Sequence, residues 1–104
     1  MLGEFEYLLL SATAALADEA YGATIRASIE EVTGTPCSIG ALYTTIDRLE
    51  QKGMVKTWMG GATAQRGGRA KRMVRITPKG IEAAAKFYRV VRRATTGLAW
   101  EIPS

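Results

Sequence analysis

A chain of 104 residues, 47% hydrophobic and 23% charged, has the length and balance of one globular domain, and a domain of this size gains stability by pairing with a copy of itself or by packing exceptionally well. One cysteine, Cys37, and no histidine exclude an internal disulfide, a Cys/His zinc site and the commonest general base, so neither an enzyme nor a metal or cofactor is expected. The net charge is +4, yet residues 65–93 carry ten Lys and Arg against one acid, Glu82, a concentration that favours a polyanionic partner; the bland alternative beyond Lys79 is a solvated helix face.

Residues 4–16 place Phe5, Leu8, Leu9, Ala12 and Leu16 at helical spacing and predict a first helix. The apolar run is broken by Ser11 and Thr13 and preceded by Glu4 and Glu6, which fits neither a signal peptide nor a membrane span, so a soluble cytoplasmic protein is expected. Tyr21, Ile25, Ser28, Ile29 and Val32 predict a second helix that stops at Gly34 and Pro36. Ser38 is a candidate N-cap for a third helix over about 39–52, with Ile39, Leu42, Ile46 and Leu49 on its apolar side. The opposite side carries Gly40, Ala41, Thr44, Arg48 and Gln51, small or hydrogen-bonding residues that leave it free to meet a ligand.

From Met54 the period changes to two, with Val55, Thr57 and Met59 on one face; Lys71–Thr77 repeats it with Val74 and Ile76. The segment between, 60–70, contains four glycines with Arg66 and Arg69 and reads as a basic hairpin loop. Thr77 and Pro78 start a fourth helix that runs toward Thr96, with Ile81, Ala84, Ala85, Tyr88 and Val91 as its main stripe, Phe87 and Val90 off it, and an irregular tail over 97–104.

Three helices, a two-stranded hairpin and a last helix predict an α+β, mainly α fold: a winged helix-turn-helix over 1–77 and a C-terminal dimerisation helix and tail over 78–104, in one compact unit. A major groove admits one helix, and Gly40, Ala41 and Thr44 let the third helix approach base edges closely. The hairpin loop would bring Arg66 and Arg69, with Lys71 and Arg72 at its base, to the phosphates. Double-stranded DNA is therefore the expected partner, and a winged-helix module that binds RNA or a protein is the alternative. Ile81, Ala84, Ala85 and Tyr88 would pack on the first helix of their own chain, leaving Phe87, Val90, Val91, Leu98 and Trp100, with Phe5 and Leu9, to form a two-fold dimer.

Three segments, GEFEYLLLSATAALADEAYGATIR, SIGALYTTIDRLEQKGMVKTW and GGRAKRMVRITPKG, resemble PadR-type regulators in order and spacing across nearly all of residues 3–80. The resemblance implies a homodimeric repressor of an inverted repeat, with Tyr43 near phosphate, the wing on the flanks and the C-terminal helix at the dimer contact. It leaves any small-molecule effector unassigned. Thr44-Thr45 stands where many members have a proline after the tyrosine, and the C-terminal region is short, as in the minimal subgroup. Tyr43 sits at the margin of the apolar face and reads equally as core packing; Tyr21 and Ser38 can cap and support helices or touch phosphate; Trp58 reads as an exposed strand aromatic. Trp100 is taken as an interface anchor over a free tail residue, and Cys37 as an inert small residue over a redox sensor.

Overall fold

The computed structural model describes residues 1–60 and 70–101. Helix α1 (Glu4–Leu16) leads through a short 3-10 turn (Ala17–Glu19) into α2 (Gly22–Thr33) and α3 (Ile39–Gln51). Strands β1 (Val55–Gly60) and β2 (Lys71–Ile76) pair antiparallel, with Val55 opposite Ile76 and Gly60 opposite Lys71, and α4 (Pro78–Thr95) closes the order. The expected caps form. Ser38 Oγ accepts the Ala41 amide at 3.2 Å, and Thr77 Oγ1 accepts the Gly80 amide at 3.1 Å with Pro78 in the first turn, where its missing N–H costs nothing.

The core gathers Leu9 and Leu10 of α1, Ile25 of α2, Leu42, Ile46 and Leu49 of α3, and Val55 and Val74 of the hairpin, each almost fully enclosed. Two short segments tie the hairpin to this core. The Val74 amide donates to the Ala20 carbonyl at 3.0 Å and Tyr21 bridges Met73, so the extended link before α2 acts as a minimal third strand. At the other end, Thr77 donates through its hydroxyl to the Gly53 carbonyl at 2.7 Å and through its amide to the Met54 carbonyl at 3.0 Å. Gly80 sits so close to the Met54 carbonyl that a Cβ there would collide with backbone, which fixes glycine in the first turn of α4.

Several faces differ from the periodic reading. On α1 the enclosed residues are Glu6, Leu9, Leu10, Ala12 and Thr13, while Phe5, Leu8 and Leu16 are half-buried. Taking roughly 100° per residue, the buried face is rotated by about a quarter turn from the expected stripe. The helix is apolar over most of its circumference, and the elements packed on it decide which side is deepest. Ile39 is 54% exposed because it lies in the first turn of α3, ahead of the core; Val32, the penultimate residue of α2, is 71% exposed. Met59 is exposed where β1 runs past the helices. On α4 the inward side is Ala83, Ala84 and Phe87, whose ring stacks on Tyr7 at 4.7 Å between centroids; Ile81 and Tyr88 are about half exposed, along an open groove shared with Tyr7 and Leu10 of α1.

Glu6 is buried yet charged. Its carboxylate accepts the Gly3 amide at 2.9 Å and the Lys52 ammonium at 2.9 Å, linking the start of α1 to the end of α3. Burial pushes its pKa up, but these two bonds, with the Lys52 charge and the more distant Arg48, outweigh that and hold it below the ordinary glutamate value. A folded-state pKa below the unfolded one gives stability that is present above the unfolded value and is lost as pH falls through the folded one. Glu6→Gln should therefore cost about 1–2 kcal/mol at pH 7, as expected for one charge-assisted bond with a half-exposed partner. In urea unfolding curves the gap to wild type should close below about pH 4, near the unfolded glutamate value; an equal gap at pH 7 and pH 3 would overturn the assignment.

Candidate nucleic-acid interface

Helix α3 is held on three sides and free on the fourth. Leu42, Thr45, Ile46 and Leu49 point inward, leaving Gly40, Ala41, Tyr43, Thr44, Asp47, Arg48 and Gln51 exposed. Toward its N-terminal end the free side carries the small or hydroxyl-bearing residues Gly40, Ala41 and Thr44, flanked by the exposed Ile39 and beside the capped amide end at Ser38. The positive end of a helix dipole adds to that surface.

Tyr43 settles into a position that neither sequence reading described in full. It is 37% exposed, and its ring and hydroxyl lie against Gly22, the first residue of α2, so closely that a Cβ there would overlap the hydroxyl. A shallow groove between α2 and α3 is lined by Gly22, Ala23, Arg26, Ile39, Leu42 and Tyr43. The phenol thus packs across the helix-turn-helix junction while one edge stays at the surface. Tyr21, immediately before Gly22, is half-buried, and the Lys71 ammonium stands 4.4 Å from the centre of its ring. This cation–π contact brings the base of the hairpin to the start of α2.

The other basic residues are distributed differently. Arg72 is paired with α3 through Asp47 at 2.7 Å and Glu50 at 3.3 Å. Arg75 pairs with Asp18 at 3.2 Å and lies 5.4 Å from the centre of the Trp58 ring on the outer face of the sheet. Neither partnership was visible in the sequence; the opposition of Lys56 to Arg75 and of Trp58 to Met73 follows from the strand register. Arg66 and Arg69 lie outside the described residues. Cys37 is buried with its amide donating to Glu30 at 2.8 Å and its carbonyl accepting from Arg26 at 2.7 Å. Burial pushes its thiol pKa up, Glu30 adds to this, and Arg26 only partly offsets it, which disfavours the reactive thiolate.

Among residues expected to meet a second copy, Leu9 is fully enclosed in its own core and has no surface to offer. Phe5 is half-buried and Phe87 is engaged with Tyr7, whereas Val90, Val91, Leu98 and Trp100 are exposed, Trp100 to 69%. Among the described residues no helix is long and apolar enough to cross a membrane.

Residues 12–86, from the middle of α1 to the middle of α4, match the family model of the transcriptional regulator PadR-like family. The chain belongs to this PadR-like family. Solved structures with the same fold include RosR of H. salinarum, 22% identical over 94% of this chain and 81% of that one, with a TM-score of 0.69. A PadR family transcription regulator from Clostridium difficile R20291 is 21% identical over 89% of this chain and 95% of that one, with a TM-score of 0.68. F93 from STIV, a winged-helix DNA-binding protein, is 15% identical over 93% and 97% of the two chains, with a TM-score of 0.73. No curated protein matches the chain. The four helices and the two-stranded antiparallel sheet are those of a winged helix.

The contact at Gly22 is testable without DNA. Gly22→Ala should displace the Tyr43 ring and destabilise the fold by about 1–3 kcal/mol, the usual cost of overpacking. In a Tyr43→Ala background the same change should be close to neutral, because the clash has gone. Equal costs in both backgrounds, read from urea unfolding, would mean that Tyr43 does not occupy the junction.

Proposed function

We propose that this PadR-like chain is a cytoplasmic repressor that binds an inverted-repeat operator in double-stranded DNA as a two-fold homodimer. The observation that carries the reading is the free face of α3, where Gly40, Ala41 and Thr44 stand exposed at the helix start with Tyr43 and the Tyr21–Lys71 pair beside them. A helix with such a face can enter a major groove until its side chains reach base edges, and Thr44 and Arg48 are the candidates to read or flank them. Lys71, with Arg66 and Arg69, supplies charge for the neighbouring phosphates; Tyr21, Ser38 and Tyr43 support or contact the backbone beside the groove.

Pairing follows from the surface left on α4 and the tail. Val90, Val91, Leu98 and Trp100 are exposed in the single chain, and open grooves of about 440 Å³ and 290 Å³ run along the two sides of α4. One is lined by Leu2, Met54, Phe87 and Val90 among others, the other by Tyr7, Ile81, Ala84 and Tyr88. A second copy on this helix would cover apolar surface and set two α3 helices about 34–36 Å apart, one turn of duplex. Repression then requires no chemistry, since a dimer seated on a promoter excludes polymerase.

Selection from a random duplex pool tests the reading. The enriched sites should be inverted repeats with half-sites one helical turn apart, and enrichment of single half-sites would remove the dimer. On the selected duplex, log Kd against log salt should have a slope of magnitude near 7, for on the order of eight phosphate contacts per dimer; a slope near zero would sink the electrostatic argument. Thr44→Val, which keeps the shape and removes the hydroxyl, should shift the preferred base at one position per half-site by about 1–3 kcal/mol. An unchanged preference would assign the reading to another residue.

A further inference from the structure

The basic residues of the hairpin do not share one role. Arg72 lies on the helix-facing side of β2, opposite Met59 in the register, with its side chain 23% exposed against 63% for Arg75. One guanidinium nitrogen, Nη2, lies 2.7 Å from Asp47 Oδ1, 3.3 Å from Glu50 Oε1 and 3.5 Å from Thr57 Oγ1. Thr57 in turn donates to the second oxygen of Glu50. A single cation from β2 therefore gathers both acids of α3 and the facing hydroxyl of β1.

The placement of those acids gives the contact its consequence. Asp47 follows Thr44 by three residues and Tyr43 by four, so it stands on the flank of α3 adjoining the exposed reading face, and Glu50 lies one turn further on. Two carboxylates at the edge of a helix that enters a groove would repel the phosphates on that side, across a distance at which screening is incomplete. Arg72 offsets one of those two charges, draws both carboxylates toward the hairpin and, because it is rooted in the strand, fixes the angle between hairpin and α3.

Resting on the DNA-binding reading above, we propose that Arg72 is a positioning residue for DNA recognition: it holds the wing against α3 and offsets half of the charge of Asp47 and Glu50, and it is not a phosphate ligand. Its role differs from that of Lys71, the adjacent residue, whose side chain alternates to the other face of β2 and stands over Tyr21.

The experiment is a mutant cycle on the full chain, read in two ways. Affinity for the selected duplex is measured by fluorescence anisotropy across a salt series for wild type, Arg72→Ala, the pair Asp47→Asn with Glu50→Gln, and all three together. Arg72→Ala should weaken binding about tenfold at low salt, and by less as salt screens the exposed carboxylates, whereas in the neutralised background the same substitution should cost less than about twofold throughout the series. A phosphate ligand would instead give the same loss, and a slope shallower by about 1 per subunit, in both backgrounds, which would overturn the proposal. Arg72→Lys keeps the charge on a less extensive donor set and should recover part of the affinity; it also carries the comparison if Arg72→Ala does not fold. The same cycle is read in urea without DNA, where Arg72 and the two acids should be coupled. Additive unfolding free energies would overturn the inference whatever the DNA result, whereas coupling in urea with no duplex enriched by wild type would place the failure in the DNA-binding reading itself.

Discussion

A two-stranded hairpin has little stability of its own in water, and everything that the wing does depends on how it is joined to the helices. Here the join is a short stretch of shared backbone. Ala20 and Tyr21 run extended along β2, and the bond from the Val74 amide to the Ala20 carbonyl is made where Val74 is already enclosed in the core. Because Tyr21 is also the residue that starts α2, the same two residues set the position of the hairpin and the entry of the second helix. A slip of one residue in this pairing would turn Val74 to solvent and Arg75 to the core, so the apolar pattern locks the register. Thr77 and Gly80 secure the other end of the hairpin against the turn after α3.

Within that frame α3 is a helix whose surroundings assign each of its sides a task. The core side is aliphatic, the flank toward α2 is closed by Tyr43 on Gly22, and the flank toward the hairpin is closed by Arg72 on Asp47 and Glu50. Its C-terminal end is tied to α1 because Lys52, just past the last turn, reaches the buried carboxylate of Glu6. What remains unconstrained is the side carrying Gly40, Ala41 and Thr44. Holding a helix rigidly on three sides is the condition for presenting the fourth with a defined geometry, since a loose reading surface would average over many orientations.

Helix α4 has a different status. Its first turn is packed closely against the turn after α3, and Ala83, Ala84 and Phe87 meet the core, but beyond Phe87 nearly every residue is exposed. The basic residues Lys86, Arg89, Arg92 and Arg93 share this stretch with Val90, Val91, Leu98 and Trp100. An element with both an uncovered apolar strip and a charged side suits association that buries one and leaves the other to solvent or phosphate. The Tyr7–Phe87 stack fixes which side α4 turns to its own chain.

Element order, caps and hairpin could be read from the residues, because helical and strand periods, Ser38, Thr77–Pro78 and the glycine-rich break each act over a few neighbouring positions. The PadR-like resemblance was legible for the same reason: its segments are local strings at fixed spacing, and the match over residues 12–86 bears it out. The small polar face of α3 was legible too, since a helix with one strongly apolar side leaves its opposite side determined. Periodicity did not fix which side of α1 or α4 is deepest, because a helix apolar over much of its surface is oriented by its neighbours and not by its own pattern. That ambiguity put Leu9 at an expected interface and hid the stack of Phe87 on Tyr7. Nor could the sequence reveal that Arg72 answers Asp47 and Glu50 while Lys71, one residue before it, answers Tyr21. Adjacent residues on a strand point to opposite faces, and the groups they meet lie 20 to 50 positions away along the chain; only the tertiary structure, which brings those faces together, decides the partner of each charge.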